Sequence, residues 1–485
     1  MSRHTMMNRR KFLRTSALAT AGAFSPSGLF GQSRARNPLR IPALQTGELR
    51  QGRRHYSLEA RSGTSRFLSG LDTPTIGFNG DYLGPTLRLR NGEDVRIAVD
   101  NRLDEPTTVH WHGLHVPAIA DGGPHQVIEA GGSWRAEFQV RQPAGPFWYH
   151  SHLIDRTGEQ VYRGLAGMIL LEDDESEALE LPRDYGVDDI PLIIQDRRFN
   201  EDGSFRYIDS NRDIMFGLHG DSILVNGTHD PYFVPVTRKV RFRLLNGSNA
   251  RTYRLAFSDG RRFQQLAGDG SFLAQPLTMT EVTLAPAERC EIVADFADGA
   301  PVNLVSLPLP ADSPYRASGM MGRMHGNLSD QAFQLLAIEP QSQLTASPAL
   351  PALLTSVPDL EAAGVDRLRR FELGMVMGMM GGGGRRGGMD GGRFSINGAN
   401  MHMMTINERV PLGSTEIWEI HNDTMMMHPF HIHHSQFQVK DRDGRPPHAS
   451  ERGFKDTVKV GAGETVRVVM AFERFADPVH AYMYH

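Results

Sequence analysis

Cysteine is almost missing from this chain of 485 residues: Cys290 stands alone, so no internal disulfide can form. It lies in Ala285-Pro-Ala-Glu-Arg-Cys-Glu-Ile-Val293, a strand-like segment in which a half-buried thiol is the ordinary expectation. Beyond the N-terminus, no stretch approaches the roughly twenty apolar residues of a membrane span, so a mature chain without a span is expected. Charge of one sign is also lacking. The formal net charge is −4 and the pI near 6.6, which gives no reason to expect nucleic acid or an anionic membrane as a partner. Helix-like periodicity is scarce, whereas 50 glycines and 29 prolines supply abundant turns. An all-β fold is expected, with room for roughly three domains of ordinary size.

Alternation of apolar and polar residues marks the strands, as in Thr86-Leu-Arg-Leu-Arg90, Val95-Arg-Ile-Ala-Val99 and Trp134-Arg-Ala-Glu-Phe-Gln-Val140. An acidic stretch, Glu172-Asp-Asp-Glu175, and a Ser/Pro/Ala/Leu-rich stretch, 340–360, read as linkers. They divide the chain into regions expected at 46–176, 185–340 and 365–485, with the middle one a spacer. Asn79-Gly80, Asn226-Gly227 and Asn397-Gly398 each follow an apolar residue and open a β stretch, which suggests a threefold repeat. At the N-terminus, Asn8-Arg-Arg-Lys-Phe-Leu-Arg14 precedes a weakly apolar run. That is the pattern of a twin-arginine export signal over 1–35, cleaved after Ala35 or Ala23; the plain alternative is a basic leader.

What the sequence has in unusual form is paired histidine. His110-His112, His150-His152 and His431-His433 are His-X-His pairs, and the chain as given ends on His485. A strand turns alternate side chains to one face, so each pair can aim two imidazoles at one point. Imidazole clusters with open positions suit copper, iron or zinc. The contexts are His110-Trp-His-Gly-Leu-His115, Phe147-Trp-Tyr-His-Ser-His152 and His428-Pro-Phe-His-Ile-His433.

These runs resemble the multicopper oxidases, whose copper motifs are HWHG, WYHSH, HPxHxH and HCHxxxHxxxxM; they look most like those of periplasmic cuprous oxidases of the copper-efflux and copper-resistance type. The resemblance implies three cupredoxin-like Greek-key sandwiches with copper in the first and third. It implies that His110 and His431 hold a type 2 copper. His112, His150, His152, His433 and His485 then hold a type 3 pair, completing a trinuclear cluster that reduces O2 to water. Asp121, in Asp121-Gly-Gly-Pro124, matches a proton-relaying acid of the family, although a turn aspartate is the plain reading of that residue. His428 matches one ligand of a type 1 copper. The fourth motif stops at its first residue, in Ala481-Tyr-Met-Tyr-His485, so the third sandwich is expected to lack its C-terminal end and type 1 copper is expected only with the remainder. The chain is then either a fragment or frameshifted record of an oxidase, or a copper binder without turnover.

Methionine is dense in the third region, around a Met/Gly-rich insert at about 374–393 that includes Gly381-Gly-Gly-Gly-Arg-Arg-Gly-Gly388. Thioethers are soft ligands that prefer Cu(I), whereas gap-filling in a core is the plain alternative. Met375 and Met426 match family substrate-copper positions; Met380 and Thr424 stand where the family has aspartates. The expected function is oxidation of Cu(I) or small aromatic reductants, coupled to O2 and connected with copper tolerance. The chain is expected to be a Tat-exported, periplasmic monomer. The alternatives are a copper-sequestering protein and a copper-free structural relative of the cell-division type, a kind that loses the histidines.

Overall fold

The computed structural model describes residues 36–317, 330–362, 364–375 and 394–485. The export signal and nearly all of the methionine/glycine insert, including Met377, Met379, Met380, Met389 and Asp390, lie outside these described residues.

Strands dominate, and their burial follows the alternation in the sequence. In Asp94–Asn101, Val95, Ile97 and Val99 are buried while the residues between them face outward. They join Leu58, Ile76, Leu87, Trp111, Phe147 and Ile169 in one core. One layer over that core runs Leu44–Gln45, Thr86–Arg90, Ala166–Glu172, Gly145–His150 and His110–His112. The other runs Glu48–Arg50, Arg53–Ser65, Asp94–Asn101 and Ser133–Gln139.

A second core is enclosed by a seven-stranded and a six-stranded sheet. The central strand of the larger sheet, Lys239–Asn246, is buried at almost every position because both of its faces are covered. One of those faces meets the first sandwich through Leu83, Trp148, Met168, Leu170, Ile193 and Leu245. A third core holds Phe371, Trp418, Phe430, Ile432, Val466 and Val468. It lies under a five-stranded sheet and a two-stranded sheet of His428–His431 with Thr457–Val460. Beside that smaller sheet the segment to His485 folds back antiparallel. His431 N donates to His485 O at 2.8 Å, His485 N donates to His431 O at 3.0 Å, and His433 N donates to Met483 O at 2.9 Å.

The three Asn-Gly turns are structurally equivalent. Asn79, Asn226 and Asn397 all adopt left-handed backbone. Each side-chain amide clamps a neighbouring strand at two alternate residues. Asn79 bridges Ser57 O and Glu59 N, Asn226 bridges Pro191 O and Ile193 N, and Asn397 bridges Arg370 O and Glu372 N. In every case the clamped strand belongs to a parallel pair, Arg53–Ser65 with Asp94–Asn101, Asp189–Arg197 with Lys239–Asn246, and Arg367–Met375 with Thr415–Asn422. The internal repetition is therefore one of hydrogen bonding as well as of sequence.

Candidate metal centre

Strand periodicity explains how the histidines leave their own cores. In the antiparallel pair of His110–His112 with Gly145–His150, Trp111 lies opposite Tyr149, and both rings are fully buried in the first core. The residues on either side of each face the other way, so His110, His112 and His150 share the opposite face of the sheet. The third sandwich does the same: Phe430 and Ile432 enter its core, and His431 and His433 between them face out. These two outward faces meet. His110 stacks on His433 with ring centroids 3.9 Å apart, and His112 stacks on His431 at 3.6 Å. His152 and His485 close the group, their ring centroids 5.1 Å apart. The returning terminal segment brings His485 to 5.4 Å from His433.

All seven imidazoles are thus assembled in three overlapping triads, His110-His431-His433, His110-His112-His150 and His152-His433-His485. Within each, the candidate ligand atoms lie within 4.8 Å of one another. Outer hydrogen bonds fix which nitrogen faces inward. Nδ1–H of His110 donates to Asp121 O (2.9 Å), that of His150 to Ser151 O (2.7 Å), that of His431 to Asp456 O (2.7 Å) and that of His433 to Asp121 Oδ2 (2.8 Å). Each of these rings presents Nε2 to the centre. His112 is reversed: its Nε2 bonds Asp456 Oδ1 (3.1 Å) and Thr457 Oγ1 (3.0 Å), leaving Nδ1 inward, 3.3 Å from His150 Nε2.

This arrangement fits a resident metal. Buried polar atoms are normally paired, yet Nε2 of His110 and of His431 have no hydrogen-bond partner among the described residues. His485 Nε2 faces His152 Nε2 at 3.2 Å and His433 Nε2 at 3.4 Å. Burial pushes the pKa of His152, His431 and His485 down to about 3, and holds His112, His150 and His433 well below the ordinary imidazole value. With His112 Nε2 and His150 Nδ1 each hydrogen-bonded outward, lone pair is left facing lone pair between His112 Nδ1 and His150 Nε2. A cation removes that conflict, and an all-imidazole donor set suits copper.

Asp121 caps a short 3-10 turn, Ala118–Ala120, and holds two of the histidines, through its carbonyl and its carboxylate. Burial raises its pKa, but the adjacent His433 and His110 outweigh that and keep the carboxyl well below the usual range. Its second oxygen, Oδ1, is buried, 3.5 Å from His110 Nδ1, and has no hydrogen-bond partner among the described residues.

His428 stands apart from the seven. It lines a cavity of about 290 Å³ together with Met426, Met427, Phe394 and Met215. Its Nε2 lies 2.9 Å from Thr424 Oγ1, and Phe394, the register partner of Met375, meets it edge-on. The residues here do not fit a type 1 copper, which needs a thiolate. Cys290 is in the middle core, 1% exposed, its thiol pKa raised by burial.

Two residues escaped the sequence reading. Asp456 lies in the run Gly453-Phe-Lys-Asp-Thr-Val458, and nothing in that run marks its carboxylate as facing a histidine. Arg289 precedes Cys290 in the middle region and carries no motif at all. They pair, Nη1–Oδ1 at 2.7 Å and Nη2–Oδ2 at 2.5 Å, joining the middle sandwich to the third.

Models of the multicopper oxidase family match residues 59–176 and 378–485, the two segments that carry the histidines. The multicopper oxidase mco of Staphylococcus aureus is 34% identical over 460 residues, covering 93% of this chain and 90% of its own. The chain belongs to the multicopper oxidase family. As in that family, copper is the cofactor, and the fold is the cupredoxin-like one. A solved laccase-like multicopper oxidase, CueO from Ochrobactrum sp., superposes with a TM-score of 0.80 at 33% identity, over 92% of this chain and 96% of that one. The cell division protein FtsP of Pectobacterium atrosepticum is equally similar, 34% identical over 485 residues, 99% of this chain and 95% of its own. Membership of this multicopper oxidase family is therefore established, while the relatives themselves carry two kinds of name.

Proposed function

We propose that this chain is an exported oxidase that couples oxidation of Cu(I) or small phenolic reductants to four-electron reduction of O2 to water, in the service of copper tolerance. The observation that carries this reading is the convergence of seven imidazoles, six of them buried, in three triads whose candidate ligand atoms lie within 4.8 Å of one another. In this reading His110 and His431 hold the type 2 copper, and these are the two rings whose Nε2 atoms are left bare. His112, His150, His152, His433 and His485 hold the type 3 pair. Bound copper supplies the redox chemistry toward O2. The protein's part is to bury six of the seven rings and, through outer hydrogen bonds, to fix the tautomers of His110, His112, His150, His431 and His433. Asp121 orients His110 and His433, and its free Oδ1 is the proposed acceptor for protons moving to and from the cluster. Met375, the last residue of the strand Arg367–Met375, and Met426, in the bend before His428, are proposed to receive substrate Cu(I).

The proposal includes sandwich boundaries near 46–176, 185–340 and 365–485, and export to the periplasm directed by the twin-arginine segment. Among the described residues no helix is long and apolar enough to cross a membrane. His428 supplies one type 1 ligand, and a thiolate has to come from outside the residues described for any type 1 copper to form.

Full-length similarity to FtsP favours a second reading, a cell-division protein that uses the fold without copper. Copper content separates the two. The purified chain, loaded with copper and freed of excess, is expected to retain about three ions per chain. Retention of none supports the cell-division reading and overturns the oxidase. In a chain that also carries a type 1 copper, retention of copper without O2 consumption in the presence of Cu(I) or a phenol identifies a copper-sequestering protein instead.

A further inference from the structure

We infer that Arg289 of the middle sandwich is a positioning residue of the copper centre, acting through Asp456 on His112 and His431. This rests on the reading of those histidines as ligands. The Arg289 side chain is fully buried, and each of its five N–H donors is used. Nε donates to Pro146 O of the first sandwich. Nη1 donates to Ala287 O and Asp456 Oδ1, and Nη2 donates to Asp269 O and Asp456 Oδ2. A single guanidinium thus ties all three sandwiches together beside the cluster. Burial opposes its charge, and Asp456 and Asp269 outweigh that and hold it protonated.

Asp456 passes this order on in two directions. Its carboxylate accepts from His112 Nε2, which fixes the one reversed tautomer of the cluster and points Nδ1 inward. Its carbonyl accepts from His431 Nδ1, which points Nε2 inward. Asp456 lies close enough to His112 and His431 to form a fourth metal-like triad with them. Both of its oxygens are engaged by the guanidinium fork, however, so it supports ligands instead of being one. The glycine of His110-Trp-His-Gly113 is explained by the same contact. Gly113 has φ +87°, and a Cβ there would lie 2.2 Å from Asp456 Oδ2 and 3.1 Å from Arg289 Nη2. The motif leaves room for the carboxylate to reach the histidine.

The test compares Arg289→Gln, Arg289→Lys and Asp456→Asn with the parent chain and with Arg243→Gln. Arg243 makes an equally buried ion pair with Asp189 in the same sandwich, and none of its recorded partners is a cluster histidine. Copper affinity and stoichiometry are measured by competition with a chelator, and ligand geometry by Cu(II) electron paramagnetic resonance. Arg289→Gln and Asp456→Asn are expected to bind copper about 10–100-fold more weakly, with an altered copper spectrum. Arg289→Lys is expected to recover part of both, since it keeps the charge and loses the fork. Arg243→Gln is expected to melt lower while binding copper with the parent's affinity and spectrum. Should Arg289→Gln not fold, the isosteric Asp456→Asn carries the same test. If the folded variants at 289 and 456 match the parent in affinity and spectrum, Arg289 is structural only and the inference fails. If the parent itself binds no copper, the proposed function has failed, which is a different result.

Discussion

Nδ1 of His433 and Oδ2 of Asp121 meet at 2.8 Å across the seam between the third and first sandwiches. The same aspartate accepts from His110 through its backbone carbonyl at 2.9 Å. One residue on a short turn thus sets the tautomer of a histidine from each side, and the two rings stack on each other. Because the centre is shared in this way, changes at single rings are expected to act on metal content before they act on stability.

His110→Ala and His431→Ala are each expected to remove the proposed type 2 site. Copper content should fall by about one ion per chain, with the fold retained, since neither ring is part of a hydrophobic core; in a chain that also carries a type 1 copper, O2 consumption should fall to background. Metal analysis together with an oxygen electrode checks this. Unchanged copper content in both variants contradicts the site.

Acid is expected to destabilise the metal-free chain. His115, His152, His431 and His485 are held near 3 in the folded state by burial, against about 6.5 when unfolded. Between those values the unfolded chain binds more protons, so stability is complete above about pH 6.5 and declines as pH falls toward 3. Thermal unfolding after chelation should show a melting temperature that drops from pH 7 to pH 5, by roughly 1 °C for each kcal/mol lost in a chain of this length. Copper, which binds the neutral rings, should raise the melting temperature at pH 7. A metal-free melting temperature independent of pH over this range sinks the prediction.

The copper-loaded chain is expected to lack the intense blue absorption of a thiolate–copper bond, because its one thiol is locked in the middle core between strands. A strong visible band would place Cys290 sulfur on copper and require a different site map. Its loss in Cys290→Ala would prove that point.

Deleting Met375 to Met389 is expected to lower Cu(I) oxidation while sparing or improving oxidation of bulky phenols, by removing soft thioether ligands. The assay needs a chain that turns over, so it follows the O2-consumption test above. Equal loss of both activities removes the cuprous preference and leaves a general laccase as the better description.

Much of this was legible in the chain itself. Two-residue periodicity in His110-Trp-His112 and Phe430-His-Ile-His433 states that histidines and core residues occupy opposite faces, because a strand has only two faces. The Asn-Gly dipeptides announced the repetition for a similar reason: left-handed turns tolerate few residues, so the same residues return wherever the same turn does.

The sequence by itself therefore determined the all-β fold, the family and which imidazoles leave their sandwiches, all of which follow from local geometry within a few residues. Only the tertiary structure decided which nitrogen each ring presents. A tautomer depends on whatever acceptor lies outside the ring, and Asp121 and Asp456 come from turns and strands distant in the chain. It also decided that Arg289 belongs to the centre. A buried guanidinium needs five acceptors, and here they come from three separate sandwiches, a condition that no periodicity or motif in one segment can encode.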